Sequence, residues 1–400
     1  MDQPVAPLSN AAADRAPIAI ERIEAFALAC HVEGGPVSSL ALMPLRTGLL
    51  IKLTASDGAT GWGEAWCNYP PRGNLNKLAL LEDPIAPAVF ATSVADWRDL
   101  RPALEAKLHR MAIHTGEPGP FAHTLAGLDM AAADLCARRA DMGLAAFLGA
   151  PDARSAAVYA SSPDVSEAET LAARLSEAGH TGVKIKIGFD GRRDLDVLSR
   201  FRAGDAAALA LFVDANQNWD VAAARSAINA LAAFGVGFVE EPILATAPLG
   251  DWRALAAASP IKLAAGENIA GADLFAAHVR AGALGIVQPD VAKWGGVSGA
   301  LEVGAFAHAN GAGCTLHYMG TAVGLATSLH TLAAIGGDGR VELDHNPNPL
   351  RTALGALDLT VRNGRVDLPL GPGIGFEPDP SAIARLAVAS ADITRQKTTT

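Results

Sequence analysis

The sequence predicts an α/β protein in which a parallel (β/α)-barrel follows a smaller α+β domain. From about residue 156, short runs rich in β-branched residues alternate with Ala- and Leu-rich helical stretches, and eight such runs can be counted. This alternation is typical of a parallel barrel. The preceding region is first strand-like and then helical, as in a separate α+β unit. At 400 residues the chain is long enough for two domains.

The composition indicates a large hydrophobic core and an acidic surface. Half of the residues are hydrophobic, 18% are charged, and the net charge is −10. We expect no nucleic-acid partner, because phosphate binding requires a basic surface. We also expect no membrane partner, because no apolar run is long enough to cross a bilayer and the first residues lack the pattern of a secretion signal. The four cysteines are scattered, which favours free thiols and a cytoplasmic location.

The pattern divides the chain into five parts. They are a tail over 1–17, an α+β capping domain over 18–150, the barrel over 151–355, a C-terminal segment over 356–390 and a tail over 391–400. We expect the C-terminal segment to pack on the capping domain and to contain two short strands around an Asn-Gly turn. In the capping domain, alternating runs predict strands up to about residue 66, and three-to-four spacing predicts helices over 75–148.

Polar side chains follow the predicted barrel strands at a regular interval. Each strand from the second to the eighth carries a charged residue or a histidine at or just past its carboxyl end, namely Lys184 and Lys186, Asp214, Glu240, Glu267, Asp290, His317 and Glu342. The steps from Lys186 onward are 28, 26, 27, 23, 27 and 25 residues, about one βα unit each. Charges in buried strands are costly unless they are paired or bound to metal. We therefore expect these side chains on one rim, where barrel enzymes keep their active sites.

Three carboxylates end consecutive strands. Asp214, Glu240 and Glu267 would repel one another at a common centre unless a hard cation lay between them, and oxygen ligands favour Mg²⁺ over zinc. The H-x-H pair of a zinc hydrolase barrel does not occur in the sequence. This pattern predicts a magnesium site.

Two candidate bases lie on other strands of the same rim. Lys184 and Lys186 alternate with apolar residues, so both point to one face of their strand. Beside a cation, the pKa of a buried lysine should fall, which suits a general base. His317 and Asp290 lie on neighbouring strands, where the aspartate can orient the imidazole. Proton transfer is therefore the chemistry that we expect.

Taken together and in order, these motifs resemble the enolase superfamily, and within it the mandelate racemase group. The matching stretches are V-K-I-K-I-G at 183–188, V-D-A-N at 213–216, V-E-E-P at 239–242, G-E-N at 266–268, Q-P-D-V-A-K-W-G-G at 288–296, His317, V-E-L-D at 341–344, G-W-G-E at 61–64 and L-D-M-A-A-A-D at 128–134. In the muconate lactonizing group a second lysine takes the place of Asp290. The resemblance therefore favours the mandelate racemase group.

The resemblance implies a modified TIM barrel that removes the α-proton of a carboxylate substrate. Asp214, Glu240 and Glu267 would hold one Mg²⁺ per subunit, and the substrate carboxylate would complete its coordination. Lys186 and the Asp290–His317 dyad would face opposite sides of the α-carbon. Members of this family are commonly homo-oligomers, often octamers.

Other residues would assist the same step. Lys184 would lower the pKa of Lys186 and meet the substrate carboxylate. Glu342 would donate a hydrogen bond to the developing enolate. Asn216 and Lys293 would contact these groups and help to orient them.

Three outcomes can follow proton removal. Dehydration of a sugar acid needs a base and an acid, racemisation needs a base on each face, and cycloisomerisation needs mainly the lysine. We expect an acid-sugar dehydratase, a lyase, and keep a racemase or epimerase of a 2-hydroxy acid as the isomerase alternative. A barrel that binds a metal and a ligand without turnover is the alternative from another class.

Substrate choice is expected to depend on two capping-domain loops, 31–46 and 66–73. Their polar residues could bind a polar or anionic end of a small carboxylate substrate; they are Arg46, Asn68, Tyr69 and Arg72. Their apolar residues would suit an apolar end; they are Met43, Trp66 and Pro70. The loop sequences leave this choice open.

Overall fold

The computed structural model describes residues 17–33, 35, 43–163, 165–166, 168–204, 209–355 and 357–396. Nearly all of the predicted N-terminal tail and much of the loop over 31–46 lie outside this part of the chain. Two sheets organise the fold, a mainly antiparallel sheet near the chain ends and a parallel sheet between them. The four cysteines are all described and form no disulfide.

The capping domain is a sheet covered by helices. Its strands are β1 (Ile18–His31), β2 (Leu45–Ala55), β3 (Thr60–Trp66) and β4 (Ser93–Val94), and its helices are α1 (Gly73–Leu80), α2 (Ala86–Phe90), α3 (Leu100–Thr115), α4 (Pro118–Arg139) and α5 (Leu144–Phe147). Helix α4 lies directly on β3. Gly63 permits this approach, because a Cβ atom there would stand 2.0 Å from the carbonyl oxygen of Gly127.

The predicted barrel is confirmed, with all eight strands in parallel. They are β5 (Ser155–Ser161), β6 (Gly182–Lys186), β7 (Ala210–Asp214), β8 (Val236–Glu240), β9 (Lys262–Ala265), β10 (Ile286–Val287), β11 (Gly313–Cys314) and β12 (Val341–Asp344). Each strand pairs with the next from β5 to β11, and β12 pairs with β5. A bridge between Leu316 and Val341 joins β11 to β12 and closes the ring.

Helices lie between successive barrel strands. They are α6 (Ala168–Glu177), α7 (Gly191–Ala203), α8 (Val221–Leu231), α9 (Leu249–Ala258), α10 (Ala272–Arg280), α11 (Gly296–Ala309) and α12 (Ala322–Ile335). Inside the ring, Tyr159, Phe212 and Phe238 form an aromatic layer, with the two phenylalanine rings stacked at 4.3 Å. These rings close the barrel below its carboxyl rim, so the polar groups above them stand on an apolar floor.

The C-terminal segment differs in part from the expectation. After α13 (Pro349–Thr352), β13 (Arg365–Asp367) pairs with β5 of the barrel, whereas α14 (Pro380–Leu386) and β14 (Ala387–Thr394) join the capping domain. Ordered structure also extends past the predicted start of the tail at 391. Ile393 lies opposite Ile23 of β1, and Arg22 donates to Asp392 at 2.8 and 2.7 Å.

Within the described part of the chain, no helix combines the length and the apolarity that a bilayer crossing requires.

Candidate active site

The strand register brings the predicted polar residues to one rim. Lys186, Asp214 and Glu240 are the last residues of β6, β7 and β8, and they lie side by side in the sheet. Glu267, Asp290 and His317 come just after β9, β10 and β11, and Glu342 lies within β12. The one-unit spacing in the sequence therefore corresponds to a ring of side chains in the fold.

Lys184 joins one half of this ring. Its ammonium donates to both carboxylate oxygens of Glu240 at 2.7 and 2.8 Å, and lies 3.0 Å from Glu342 Oε1 and 3.7 Å from Asp214 Oδ2. Although burial favours the neutral amine, these carboxylates hold the pKa of Lys184 well above its ordinary value. Burial raises the pKa of Glu240 to about 7, against the opposing charge of Lys184. The ammonium also stands 5.6 Å from the centre of the Tyr159 ring.

Lys186 points into the same ring from the end of β6. It donates to Asp214 Oδ2 at 2.6 Å and to Asn216 Oδ1 at 2.7 Å. Burial favours the neutral amine, but the charge of Asp214 outweighs it and raises the pKa of Lys186. The sequence suggested a lowered pKa; the direct ion pair reverses the direction in this arrangement. The neighbouring charge of Lys184 opposes this rise, in the direction that the sequence suggested, but it does not outweigh Asp214.

Asp290 and His317 form the expected dyad. His317 Nδ1 lies 2.6 Å from Asp290 Oδ2, and the other oxygen of Asp290 accepts the backbone N–H of Ala292 at 2.7 Å. On its other side, the imidazole Nε2 contacts Glu267 Oε2 and lies 3.7 Å from Glu342 Oε2. Burial opposes the charged imidazole, but Glu267 and Glu342 raise the pKa of His317 well above its ordinary value. Asp290 thus holds the Nδ1 atom of the imidazole, while the Nε2 atom faces the other polar side chains of the rim.

Glu342 is held on one side only. Its Oε1 accepts a hydrogen bond from Ser161, while its buried Oε2 has no hydrogen-bond partner among the described residues. An acceptor of this kind at the centre of a charged ring is available to a further group.

A chain of hydrogen bonds crosses the neighbouring wall. Asn268 donates to Glu241 at 2.9 and 3.1 Å and to Glu267 Oε1 at 2.9 Å, and it accepts from Lys293 at 2.9 Å. The Lys293 ammonium stands 4.6 Å from the centre of the Trp66 ring of the capping domain. This wall therefore couples a candidate metal ligand to the capping domain.

The backbone after the strands is specialised. Ser162, Asn216, Gln217 and Glu241 have positive φ angles between 41° and 61°, which are uncommon for residues with side chains. Three of them line the cavity described below. This geometry turns side chains inward immediately after a strand, and such outliers concentrate at functional sites.

The rim opens into a cavity of about 160 Å³ between the two domains. It is lined by Met43, Trp66, Asn68, Tyr69, Lys186, Asn216, Gln217, Glu241, Glu267, Asn268, Lys293, His317 and Met319. Both candidate bases, Lys186 and His317, therefore face the same space. Their strands β6 and β11 are separated by two strands in one direction and four in the other, so the two groups come from nearly opposite sides of the ring.

The four polar loop residues divide into two pairs. Asn68 and Tyr69 line the cavity, and Asn68 also donates to the carbonyl oxygen of Met319. Arg46 does not line it; its buried guanidinium pairs with Asp344 and donates to the carbonyl oxygen of Pro347 at 3.1 Å. Arg72 is exposed at the start of α1 and is also absent from the cavity wall. The structure thus supports a cavity position only for Asn68 and Tyr69.

The donor set at the rim fits a hard cation. Asp214, Glu240 and Glu267 supply only oxygen ligands. The charge of Glu267 opposes ionisation of the other two carboxyls, although Lys186 and Lys184 still hold the pKa of Asp214 below its ordinary value. Over the residues that the structure describes, however, no three His, Cys, Asp or Glu side chains are arranged to hold a metal ion as they stand. Their oxygens contact Lys184, Lys186 and His317 instead. Chemistry and charge fit Mg²⁺, and binding would require these nitrogen partners to turn away.

Sequence reasoning missed several cavity residues. Glu241 is one, because adjacent glutamates on a strand end give no sign of which will face the ligand. Gln217, Asn268 and Met319 are others, and their polar or apolar character alone is ordinary for a loop. Gln288 of the Q-P-D motif does not line the cavity, but its side chain donates to Glu240 Oε2 at 2.6 Å, and the motif alone does not predict this contact.

Comparisons with known proteins identify the family of this chain. Residues 167–382 match the profile "Enolase C-terminal domain-like", and residues 36–149 match "Mandelate racemase / muconate lactonizing enzyme, N-terminal domain". D-galactarolactone cycloisomerase of Agrobacterium fabrum is 30% identical over 359 residues, covering 84% of this chain and 90% of the relative.

Two solved structures are also similar. A mandelate racemase/muconate lactonizing enzyme from Bordetella bronchiseptica has 39% identity and a TM-score of 0.85, covering 93% of this chain and 100% of the other. A racemase from Streptomyces coelicolor with bound magnesium has 27% identity and a TM-score of 0.81, covering 92% and 100%. From its profile matches, its relatives and the fold that they share, this chain belongs to the mandelate racemase/muconate lactonizing enzyme family of the enolase superfamily.

Proposed function

We propose that this enzyme removes the α-proton of a sugar acid and then expels the oxygen substituent from the β-carbon, with loss of water. The observation that carries the proposal is the shared cavity of Lys186 and His317. One group can act as the base and the other as the acid, because they reach the cavity from nearly opposite sides of the barrel. The polar lining of Asn68, Asn216 and Gln217 suits a polyhydroxylated substrate.

In the proposed sequence, Lys186 must leave its ion pair with Asp214 and act as the neutral amine. The amine takes the α-proton, and the C–H electron pair moves into the carboxylate to give an enolate. The pair then returns to form the Cα–Cβ double bond while the Cβ–O bond breaks. The leaving oxygen takes a proton from the imidazolium of His317 and departs as water. The resulting enol takes up a proton at Cβ, releases its hydroxyl proton at Cα and becomes a 2-keto acid.

Asp214, Glu240 and Glu267 would hold Mg²⁺, which supplies positive charge that stabilises the enolate when it is bound. The magnesium in the similar Streptomyces coelicolor racemase supports this assignment. Lys184 and Glu342, which lie 3.0 Å apart, would contribute hydrogen bonds to the substrate carboxylate and the enolate. Asp290 holds the imidazole through Nδ1, which leaves Nε2 for proton transfer.

A second candidate function is racemisation or epimerisation at the α-carbon. It is favoured by the same pair of groups, because a base on each side of the cavity can remove a proton from one face and return it to the other. A third outcome follows if the β-oxygen belongs to a ring. Elimination then opens the ring without loss of mass, as the name of the Agrobacterium fabrum relative, a cycloisomerase, suggests for that protein.

A substrate screen separates these outcomes. The enzyme with Mg²⁺ is incubated in D₂O with a panel of sugar acids, sugar diacids and their lactones, and the products are followed by NMR and mass spectrometry. Formation of a 2-keto acid with loss of water supports the proposal. Ring opening identifies a cycloisomerase, and deuterium at the α-carbon of an inverted but otherwise unchanged acid identifies a racemase.

Two variants test the residue roles. Lys186→Ala should abolish α-proton removal, and His317→Asn should slow departure of the oxygen while some α-exchange persists. Removing a positioned acid or base usually costs about 10²- to 10⁴-fold in rate. If no acid in the panel reacts or exchanges, or if both variants react like the wild type, the proposal is wrong.

A further inference from the structure

A buried carboxylate of the capping domain contacts the start of the helix that follows His317. Glu64, at the end of the G-W-G-E motif, accepts the backbone N–H of Thr321 at 2.9 Å, the Thr321 hydroxyl at 2.6 Å and the backbone N–H of Gly324 at 3.0 Å. The hydroxyl of Tyr318, the neighbour of His317, donates to it at 2.7 Å. One capping-domain side chain thus holds the segment from Tyr318 to the first turn of α12.

A second buried carboxylate does the same for the helix that follows Asp290. Asp129, in the L-D-M-A-A-A-D motif of α4, accepts the backbone N–H of Ser298 at 2.9 Å and its hydroxyl at 2.5 Å. Ser298 lies in the first turn of α11. An anionic side chain at a helix N-terminus satisfies free N–H groups and is favoured by the helix dipole.

Both contacts are made over glycines that a side chain would block. A Cβ atom at Gly324 would stand 2.5 Å from the Tyr318 hydroxyl and 2.8 Å from Glu64 Oε2. A Cβ atom at Gly296 would stand 2.3 Å from Asp129 Oδ1. The barrel loops are therefore shaped to receive these two carboxylates.

Two further hydrogen bonds reach the same loops. The backbone N–H of Trp66 donates to the carbonyl oxygen of Ala292 at 3.0 Å, and the N–H of Ala292 donates to Asp290. Asn68 donates to the carbonyl oxygen of Met319, two residues after His317. By contrast, Lys186 is held by Asp214 and Asn216 of the barrel itself.

We infer that Glu64 and Asp129 are positioning residues for the Asp290–His317 dyad. Packing of the capping domain on the barrel would then fix the position of the His317 imidazole in the cavity wall. Neither carboxylate lines the cavity, so each acts through the loop that it holds. Lys186 has its own support and should not depend on them. This inference rests on the proposed function in taking His317 as a proton-transfer group.

A substrate-free measurement tests the placement directly. In protein labelled with ¹⁵N-histidine and loaded with Mg²⁺, the Nδ1–H signal of His317 is assigned by its loss in His317→Asn. Glu64→Gln should shift this signal or speed its exchange with water. The carboxylate of Glu64 accepts from four donors, whereas the NH₂ group of a glutamine cannot accept a hydrogen bond, so the segment after His317 should move. The matched control is Asp134→Asn. Asp134 is a buried carboxylate of the same helix as Asp129, but it accepts from Trp62 and Ile374, outside the dyad loops.

The functional measurement uses the acid that the substrate screen identifies. Glu64→Gln and Asp129→Asn should slow the His317-dependent step by about 10- to 100-fold, since a small misplacement of a reacting group costs this much. Lys186-dependent α-exchange should stay within about twofold of the wild type. If Glu64→Gln does not fold, Thr321→Val removes one donor and keeps the carboxylate.

The results separate the inference from the proposed function. A shifted His317 signal in Glu64→Gln, with Asp134→Asn like the wild type, supports the inference even if no substrate is found. An unchanged signal in Glu64→Gln and Thr321→Val overturns it. Equal losses at both proton-transfer steps, or equal effects of Asp134→Asn, also overturn it, because they indicate general loss of structure.

Discussion

Replacing Arg46 with methionine should destabilise the protein without changing its affinity for substrate. The Arg46 and Asp344 side chains are 1% and 4% exposed, so their ion pair is fully buried between the capping domain and the end of β12. Asp344 also accepts from the backbone and side chain of Asn346 at 2.9 and 2.7 Å, but these donors carry no charge. Arg351 also interacts electrostatically with Asp344, but its guanidinium donates to the backbone carbonyl oxygen of that residue. Arg46→Met therefore leaves the buried Asp344 carboxylate without its direct ion-pair partner.

The expected loss is large relative to the total stability. Removing one partner of a buried ion pair costs about 3–5 kcal/mol, and domains are typically stable by about 5–15 kcal/mol. Urea unfolding followed by tryptophan fluorescence should show a transition at much lower urea. The double variant Arg46→Met/Asp344→Leu is the matched control. It should recover most of the loss, because an apolar pair of similar volume often replaces a buried ion pair without cost.

Kinetics on the folded variant distinguish the two roles of Arg46. The structure predicts an unchanged KM, because the guanidinium does not line the cavity. If Arg46→Met unfolds like the wild type and KM rises about tenfold, equivalent to about 1.4 kcal/mol of binding, then Arg46 is a substrate contact after all.

Two other predictions follow from buried groups. Burial raises the pKa of Cys67 and of Cys314 to about 12, so iodoacetamide at pH 8 should leave both unmodified in the native protein and label them after unfolding; labelling of either in the native state, detected by peptide mass spectrometry, would contradict the packing. Burial also raises the pKa of Asp129 to about 6. Because the unfolded carboxyl ionises near pH 4, the folded protein holds this proton more tightly, and stability falls as the pH rises from 4 to 6. Relative to Asp129→Asn, the wild type should lose up to about 3 kcal/mol over this range in urea titrations, and a constant difference between the two proteins would refute the shift.

The barrel rim could be predicted because its signal is periodic. A parallel strand buried on both faces tolerates a charge mainly at its end. Residues such as Asp214 and His317 therefore mark where each barrel strand ends, and their regular spacing gives the length of each βα unit. The dyad follows from the same phase, since neighbouring strands bring Asp290 beside His317. These inferences need only local sequence and a known repeat length.

Contacts between distant segments could not be predicted in this way. Arg46 looked available for a ligand because its partner, Asp344, lies almost 300 residues away in the chain. The pKa of Lys186 depends on whether Asp214 pairs with it, which strand order alone does not decide. Glu64 and Asp129 were visible as parts of motifs, but their role depends on how the capping domain docks.

We propose that the rim removes a proton next to a carboxylate. The most direct measurement is deuterium incorporation at the α-carbon of sugar acids in D₂O, with Mg²⁺ and with Mg²⁺ removed by EDTA. We expect incorporation into at least one acid, and this incorporation should require Mg²⁺ and disappear in Lys186→Ala/His317→Asn. Incorporation that is unchanged by EDTA or by the double substitution would contradict it, as would its absence from every acid tested.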